Sequence, residues 1–286
     1  MMDLHLHTNA SDGRCSPGEL VARASGASLS VISVVDHDTF AAQSEVAAIA
    51  GAAGLRVIPG IEITAVWRGI DVHILGYYLD PAGADLARFL RRQREDRVRR
   101  VRVILDRLRA LGLVVDFEEI LVPVSNRPPH AIGRPQVARA LVRAGYVADT
   151  REAFDRYLAE GQPGFVPRSG LTPAGVVRLV VAAGGIASLA HPGLLDRDKL
   201  IPGLVAAGMQ AIEVYHPDHS PGTVAHYLGV AQRCRLAVTG GSDYHADETH
   251  GASLLGRVTL PPADFECLEA LARGQSGTRV RTSSCL

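Results

Sequence analysis

Short apolar strands alternate with helical stretches along most of this chain, and nearly every strand ends in a histidine or a carboxylate. That rhythm restricts the fold more than any other feature. MDLHLHT, SVISVVDHD, LRVIPGIEITA, IDVHILGYYLD, IASLAHPG, MQAIEVYHP and LAVTGGSDYHA read as strands. PGELVARASGAS, TFAAQSEVAAIAGAAG, TPAGVVRLVVAAGG, KLIPGLVAAG and SPGTVAHYLGVAQRCR read as helices between them. Repeated strand–helix units predict an α/β fold with a parallel sheet and helices outside it, open or closed into a barrel. In such folds the C-terminal ends of the strands share one face, where sites are built.

From Pro81 to Gly170 the rhythm breaks into an arginine-rich helical interval without a β-patterned run. We expect 1–80 and 171–275 to form the α/β unit and 81–170 to be a helical insertion covering one end of it. The last residues, 276–286, show no clear helical period and are expected to form a flexible tail.

The ligand-type residues fall at matching places on these strands. His5 and His7 stand two apart on the first strand, where alternate side chains share a face. Asp12 follows in a polar turn, His37 ends the second strand, Glu62 the third, and His73 lies in the fourth. His191 ends the fifth, and Asp243 and His245 end the last. Six imidazoles and three carboxylates on one rim suit borderline divalent ions such as Zn, Mn or Fe. Without cations, clustered carboxylates raise one another's pKa values; bound cations reverse that. The set exceeds the needs of one ion and suits two or three, with a carboxylate free to bridge, which predicts a multinuclear hydrolytic site.

Arginines supply a second signal. In RFLRRQREDRVRRVRVILDRL, Leu90, Val101, Ile104 and Leu108 form a helical stripe, and Arg94 and Arg97 fall inside it. Guanidinium groups on a buried face need an anionic partner. That partner is either a neighbouring carboxylate, Glu95 or Asp96, or a substrate phosphate, which the arginine fork suits. Gly133 and Arg134 begin a helix with Pro135 in its first turn, a position that can bind anions. His216 and His219, past a strand end, read as substrate-side or loop-capping residues, while His130, His226 and His250 read as structural. Cys15 lies near the site in sequence without the surroundings of a nucleophile.

The 286 residues carry 30 basic and 30 acidic side chains, so net charge gives no argument for long nucleic acid or a membrane surface. Four scattered cysteines form no CxxC pair, and neither a leader pattern nor a bilayer-length apolar run is evident. A cytoplasmic location is expected, with no obligate protein partner.

HLHTNASDG, VVDHDT, GIEIT, DVHILGY, LAHP, IEVYH and GGSDYH together resemble the motifs of the PHP (polymerase and histidinol phosphatase) superfamily. The likeness is strongest to its branch of nucleotide phosphatases acting on 3′,5′-nucleoside bisphosphates and on the 5′ ends of short RNAs. It implies a distorted (β/α)7 barrel holding three divalent ions (Mn, Fe or Zn). By that resemblance His5, His7, Glu62 and Asp243 hold one ion, and Glu62 bridges to a second bound also by His73 and His191. Asp12, His37 and His245 hold the third. The REDR segment, with Arg94 and Arg97, and Gly133–Arg134 would contact a second substrate phosphate.

The implied reaction is removal of the 3′-phosphate from a nucleoside 3′,5′-bisphosphate, by a hydroxide held between ions at Glu62, Asp243 and His191. No general acid is assigned. The alternative is a 5′→3′ exoribonuclease on short 5′-phosphorylated RNA. A histidinol-phosphate phosphatase fits less well because a two-phosphate grip has no use on a monophosphate. A non-catalytic metal-binding module fits less well because no ligand is missing.

Overall fold

The computed structural model describes residues 1–121, 131–246 and 255–282. The strands are β1 (Met2–Leu6), β2 (Val31–Val34), β3 (Arg56–Val57), β4 (Gly60–Trp67), β5 (Ile70–Tyr77), β6 (Ile186–Leu189), β7 (Ala211–Tyr215) and β8 (Ala237–Gly240). Helices α1 (Pro17–Gly26) and α2 (Gln43–Ala52) follow β1 and β2. Next come α3 (Ala84–Ala110), α4 (Phe117–Ile120), α5 (Arg134–Arg143) and α6 (Thr150–Ala153), the last continued by a π-helical turn over Phe154–Leu158. The second half adds α7 (Pro173–Ala182), α8 (Pro192–Leu195), α9 (Ile201–Ala206), α10 (Pro221–Cys234) and α11 (Pro262–Thr282).

Local chemistry sets several of these boundaries. Ser16 caps α1 by accepting the Glu19 N–H at 3.3 Å, while the Glu19 carboxylate accepts the Ser16 N–H at 2.8 Å. Thr172 and Ser220 cap α7 and α10, each followed by a proline in the first turn.

The strands form two sheets, ordered β1-β2-β3 and β4-β5-β6-β7-β8. The first is parallel, as expected, and so are the β6–β7 and β7–β8 pairs. The β4–β5 and β5–β6 pairs are antiparallel, which corrects the all-parallel reading. The cause is legible in the turn. Arg68 and Gly69 alone join β4 to β5, both at positive φ (52° and 84°), and a two-residue connection makes a hairpin rather than a crossover. LRVIPGIEITA is likewise two strands, not one: Pro59, lacking an N–H, separates β3 from β4, and they join different sheets. The two sheets meet at isolated parallel bridges, Leu6 to Tyr244 and His37 to Glu62, so the expected barrel is not closed by a continuous ladder among the described residues.

Three buried clusters hold these layers. The largest lies on the five-stranded sheet and includes Leu4, Ile61, Ile63, Ile74, Leu75, Val180 and Ile212. A second joins α1 and α2 to the first sheet. The interval helices share a third, with Val101, Ile104, Leu108, Val137, Leu141 and Leu158. Helix α3 spans two of these, since Leu86 and Leu90 belong to the first and Val101 to Leu108 to the third. Between them its buried face is polar: Gln93, Arg97 and Arg100. At the other end of the chain, α11 continues to Thr282, where the sequence predicts a tail.

Candidate active site

The rim of the sheets gathers all nine expected ligand residues. Glu62, third residue of β4 and 1% exposed, is the hub. Its Oε2 lies 3.4 Å from His5 Nε2, 3.3 Å from His7 Nε2 and 3.2 Å from His37 Nδ1. Its Oε1 lies 2.7 Å from His73 Nδ1 and 3.3 Å from His191 Nε2. Asp243 Oδ1 stands 3.2 Å from both His5 and His7. Asp12 lies 3.4 Å from His37 and 3.2 Å from His245. Ligand atoms group as His7, Asp12, His37 and His245; as His5, His7 and Asp243; and as His37, Glu62 and His73, each within 4.8 Å.

Backbone irregularity aims several of these side chains. His191 (φ 27°) and Asp243 (φ 48°) occupy the left-handed region, as does Asp38 (φ 53°) beside His37. Such residues cost about 1–3 kcal/mol each and persist where surrounding contacts over-determine them. Elsewhere on the rim, Asp36 accepts from Thr8 N–H, Thr8 Oγ and Ser11 Oγ at 2.8, 2.6 and 2.7 Å and so fixes the turn that presents Asp12. Gly241 of TGGSDYH lets the chain leaving β8 pass close to β1, since a Cβ there would sit 2.4 Å from the His5 backbone nitrogen, while Gly240 makes room for Tyr215 on β7.

The donor set fits divalent cations. His5 Nε2, both ring nitrogens of His7 and His37 Nδ1 are buried without a hydrogen bond of acceptable geometry, although carboxylate oxygens lie near. Buried polar atoms are otherwise almost always satisfied, so these point to a missing electrophile. Electrostatics agree. Burial pushes the Glu62 and Asp243 carboxyls up, but the surrounding imidazoles outweigh it and hold both well below the usual carboxylate range. Burial opposes charge on His7, yet Asp243 and Glu62 raise it to about 10. Burial is also the largest influence on His37, and with His73 and His7 beside it the ring is drawn down to about 3. Carboxylates that keep their charge and imidazoles that lack acceptors are what a metal centre requires.

Beside the His37–Glu62–His73 corner lies a cluster of arginines. Arg97, 6% exposed, donates to Asp38 Oδ2 at 2.7 Å and to Thr64 Oγ1 at 3.1 Å. Its partner is therefore Asp38, not Glu95 or Asp96. Arg134 pairs with Asp71 at 3.2 Å and lies over the rings of Phe154 and Phe165. Arg94 donates to the Asp38 carbonyl at 3.2 Å and lines a cleft with Thr39, Phe40 and Leu90.

Sequence reasoning missed Arg100 and Arg168. Arg100 is 2% exposed, donates to the Val166 carbonyl at 2.6 Å and leaves one terminal nitrogen unpartnered. Arg168 approaches Asp71 at 3.3 Å and Asp38 at 3.9 Å, and its Nε makes no hydrogen bond. Burial and the neighbouring guanidinium groups pull Arg100 down to about 9. Arg100 was findable, being three residues past Arg97 on one helix face; Arg168 sits in a loop and carries no periodic signal.

The other expected substrate residues are engaged internally. The Gly133 N–H donates to Gln136 Oε1 at 2.8 Å, and a Cβ there would stand 3.1 Å from an Arg97 nitrogen, so this glycine makes room for arginine. His216, 4% exposed, accepts the Asp218 N–H at Nδ1 (3.2 Å) and so presents Nε2–H to Asp243, 3.3 Å away. His219 donates from Nδ1 to the Val214 carbonyl at 2.8 Å and accepts the Gly193 N–H at Nε2 (3.1 Å), which matches loop capping. His226 pairs with Asp198 at the surface, and Cys15 is buried. His130 and His250 lie outside the described residues. Glu213, which the sequence reading left without a role, is fully buried in β7 against His5 and His191. A carboxylate in the middle of the apolar run AIEVY was the signal for it.

Comparison with known proteins follows the same lines. The sequence profile of the PHP domain matches residues 3–122. The 3′,5′-nucleoside bisphosphate phosphatase of Chromobacterium violaceum is 35% identical over 266 residues, spanning 91% of this chain and 93% of that protein. The 5′-3′ exoribonuclease Rnm of Salmonella typhimurium is 35% identical over 250 residues, or 85% and 84% of the two chains. A solved structure from Bifidobacterium adolescentis, described as a metal-dependent phosphoesterase, superposes with a TM-score of 0.87 at 29% identity, covering 94% of this chain and 96% of its own. Among the described residues no helix is long and apolar enough to cross a membrane.

Proposed function

The chain belongs to the PHP-domain family of metal-dependent phosphoesterases, and we propose that it removes the 3′-phosphate from nucleoside 3′,5′-bisphosphates. One observation carries this reading: Arg97 and Arg100, both buried, with Arg168 (side chain 7% exposed) and the partly exposed Arg134, gather around two carboxylates among the described residues, Asp38 and Asp71, beside the imidazole cluster. Surplus buried cation is costly unless an anion completes it. A dianionic phosphate on the arginines would leave a second phosphate of the same molecule over the imidazoles and carboxylates. The cleft of about 250 Å³ lined by Thr39, Phe40, Leu90 and Arg94, the last of which also donates to the Asp38 carbonyl, is where we place the nucleoside.

His5, His7, Asp12, His37, Glu62, His73, His191, Asp243 and His245 would hold three divalent ions, for which Mn, Fe and Zn suit the donors. When bound, such ions neutralise phosphoryl oxygens and activate water at neutral pH. The chain's own residues then do the rest. The arginine group fixes one end of the substrate, which converts binding into orientation. Glu62 and Asp243 keep negative charge at the reacting end of the pocket and His191 turns a ring nitrogen toward it, and no side chain is placed as a general acid.

The Salmonella relative supports a second reading, stepwise 5′→3′ removal of nucleotides from short RNA. Phosphate release should be measured with Mn-supplied, metal-analysed protein on adenosine 3′,5′-bisphosphate, 5′-AMP, histidinol phosphate and a 5′-phosphorylated RNA oligomer. Preferred release of the 3′-phosphate is expected. Mononucleotides released from RNA with the bisphosphate left intact would overturn the first reading in favour of the second.

A further inference from the structure

Two of the expected metal ligands come from strands far apart in sequence, and one buried carboxylate touches both. Glu213 on β7 is 0% exposed. Its Oε1 lies 2.8 Å from His5 Nδ1, and its Oε2 accepts the backbone N–H of His191 at 2.7 Å. We infer that Glu213 is a positioning residue that sets the His5 tautomer and the His191 backbone together, so that both rings face Glu62. The inference rests on the metal-centre reading and needs nothing of the nucleotide.

The ring nitrogens of His5 are not equivalent. With the proton on Nδ1, donated to Glu213, the Nε2 lone pair is directed at the space shared by Glu62 Oε2 (3.4 Å) and Asp243 Oδ1 (3.2 Å). A metal-binding imidazole commonly donates its other N–H to a carboxylate, which fixes tautomer and ring orientation. His191 is held in a different way. Its backbone stands at φ 27° and ψ 57°, a conformation unfavourable for a residue with a Cβ, and the Glu213 hydrogen bond is made to that backbone. From there its Nε2 reaches Glu62 Oε1 at 3.3 Å.

Strand geometry is built around the pair. The β1–β2 register shifts between Asp3 and Leu6, across His5. The β7–β8 register shifts between Glu213 and Tyr215. Such irregularities re-aim a side chain at the cost of ladder bonds. Both carboxylate oxygens are thereby used, with no water-exposed alternative. A carboxylate can accept from two donors at opposite oxygens; an amide cannot. Glu213→Gln keeps the volume, but its NH2 must face either the His5 Nδ1–H or the His191 N–H.

The test uses the wild-type holoenzyme and Glu213→Gln. Long-range proton–nitrogen spectra of the imidazoles should show wild-type His5 protonated at Nδ1, protected from exchange. Against a graded chelator, Glu213→Gln should lose at least one ion at about 10–100-fold lower chelator concentration, with its folded far-UV spectrum unchanged. Full metal retention at wild-type chelator resistance would overturn the inference. So would a wild-type His5 that is protonated at Nε2, a result that decides the matter even if the variant does not fold. Neither readout involves substrate, so a failed substrate panel would leave this inference standing, and the reverse.

Discussion

Replacing Arg168 with Gln should separate ligand binding from stability. The Arg168 side chain is 7% exposed. It stands where Arg97 already binds Asp38 and Arg134 already binds Asp71. Burial and Arg97 disfavour its charge, while Asp71 and Asp38 favour it less strongly. Removing it from the ligand-free protein relieves crowding among like charges and takes one of two cations from Asp71. These effects oppose each other, and the stability change should stay within about 1 kcal/mol. With a dianion bound, the same substitution removes a charge-assisted hydrogen bond in a buried setting, worth about 1.5–3 kcal/mol. At 1.4 kcal/mol per factor of ten, that is about a 10–150-fold rise in KM for a bisphosphate. A monophosphate, which leaves the arginine cluster empty, should show little change. Steady-state kinetics on both substrates and urea unfolding with and without inorganic phosphate make the assay. Phosphate should stabilise the wild type by mass action and stabilise the variant far less. Unchanged KM for the bisphosphate would refute the reasoning. So would a stability loss above about 3 kcal/mol without anion, because that is the cost of breaking a buried structural pair.

Metal loading should release protons. His7 in the metal-free protein is raised to about 10 by Asp243 and Glu62 against the opposing effect of burial. Its proton is therefore present at neutral pH and must leave on ligation, so apparent metal affinity rises as pH climbs toward 10 and falls on acidification. Titration calorimetry in buffers of different ionisation heat counts the protons, and a count of zero contradicts the prediction. Gly241→Ala should cost about 1–3 kcal/mol or more, since its Cβ would lie 2.4 Å from the backbone nitrogen of His5. Denaturant unfolding and elemental analysis should show lower stability and lower metal content together; wild-type values for both would mean that β1 and the β8 loop are not wedged as described.

The ligand residues were legible because strands carry them in a pattern that survives without tertiary knowledge. A histidine or carboxylate beside an apolar run must face either water or a site, and nine of them around successive strands leave little choice, although Glu62 lies inside β4, not at the strand end the sequence suggests, and His73 lies inside β5. The β4–β5 hairpin was missed, because the strand–helix rhythm elsewhere suggested parallel pairing, although the two-residue Arg68–Gly69 connection carried the signal for it. Periodicity along α3 brought Arg97 inward correctly and Arg94 only to the half-buried edge of that face, but could not say what they meet. The stripe is shared between two hydrophobic clusters, with Arg97 and Arg100 at the polar joint between them.

What the sequence by itself determined is therefore local: the approximate strand and helix positions, and which residue types share a face of each. These follow from backbone sterics and side-chain period, which act over a few residues. Only the tertiary structure decided which charge meets which. Arg97 chose Asp38, 59 positions away, over its neighbour Asp96, and His5 found Glu213 across 208 positions. Ion pairing in a buried site is settled by desolvation and by the geometry of elements brought together from distant segments, and no period in the chain records that.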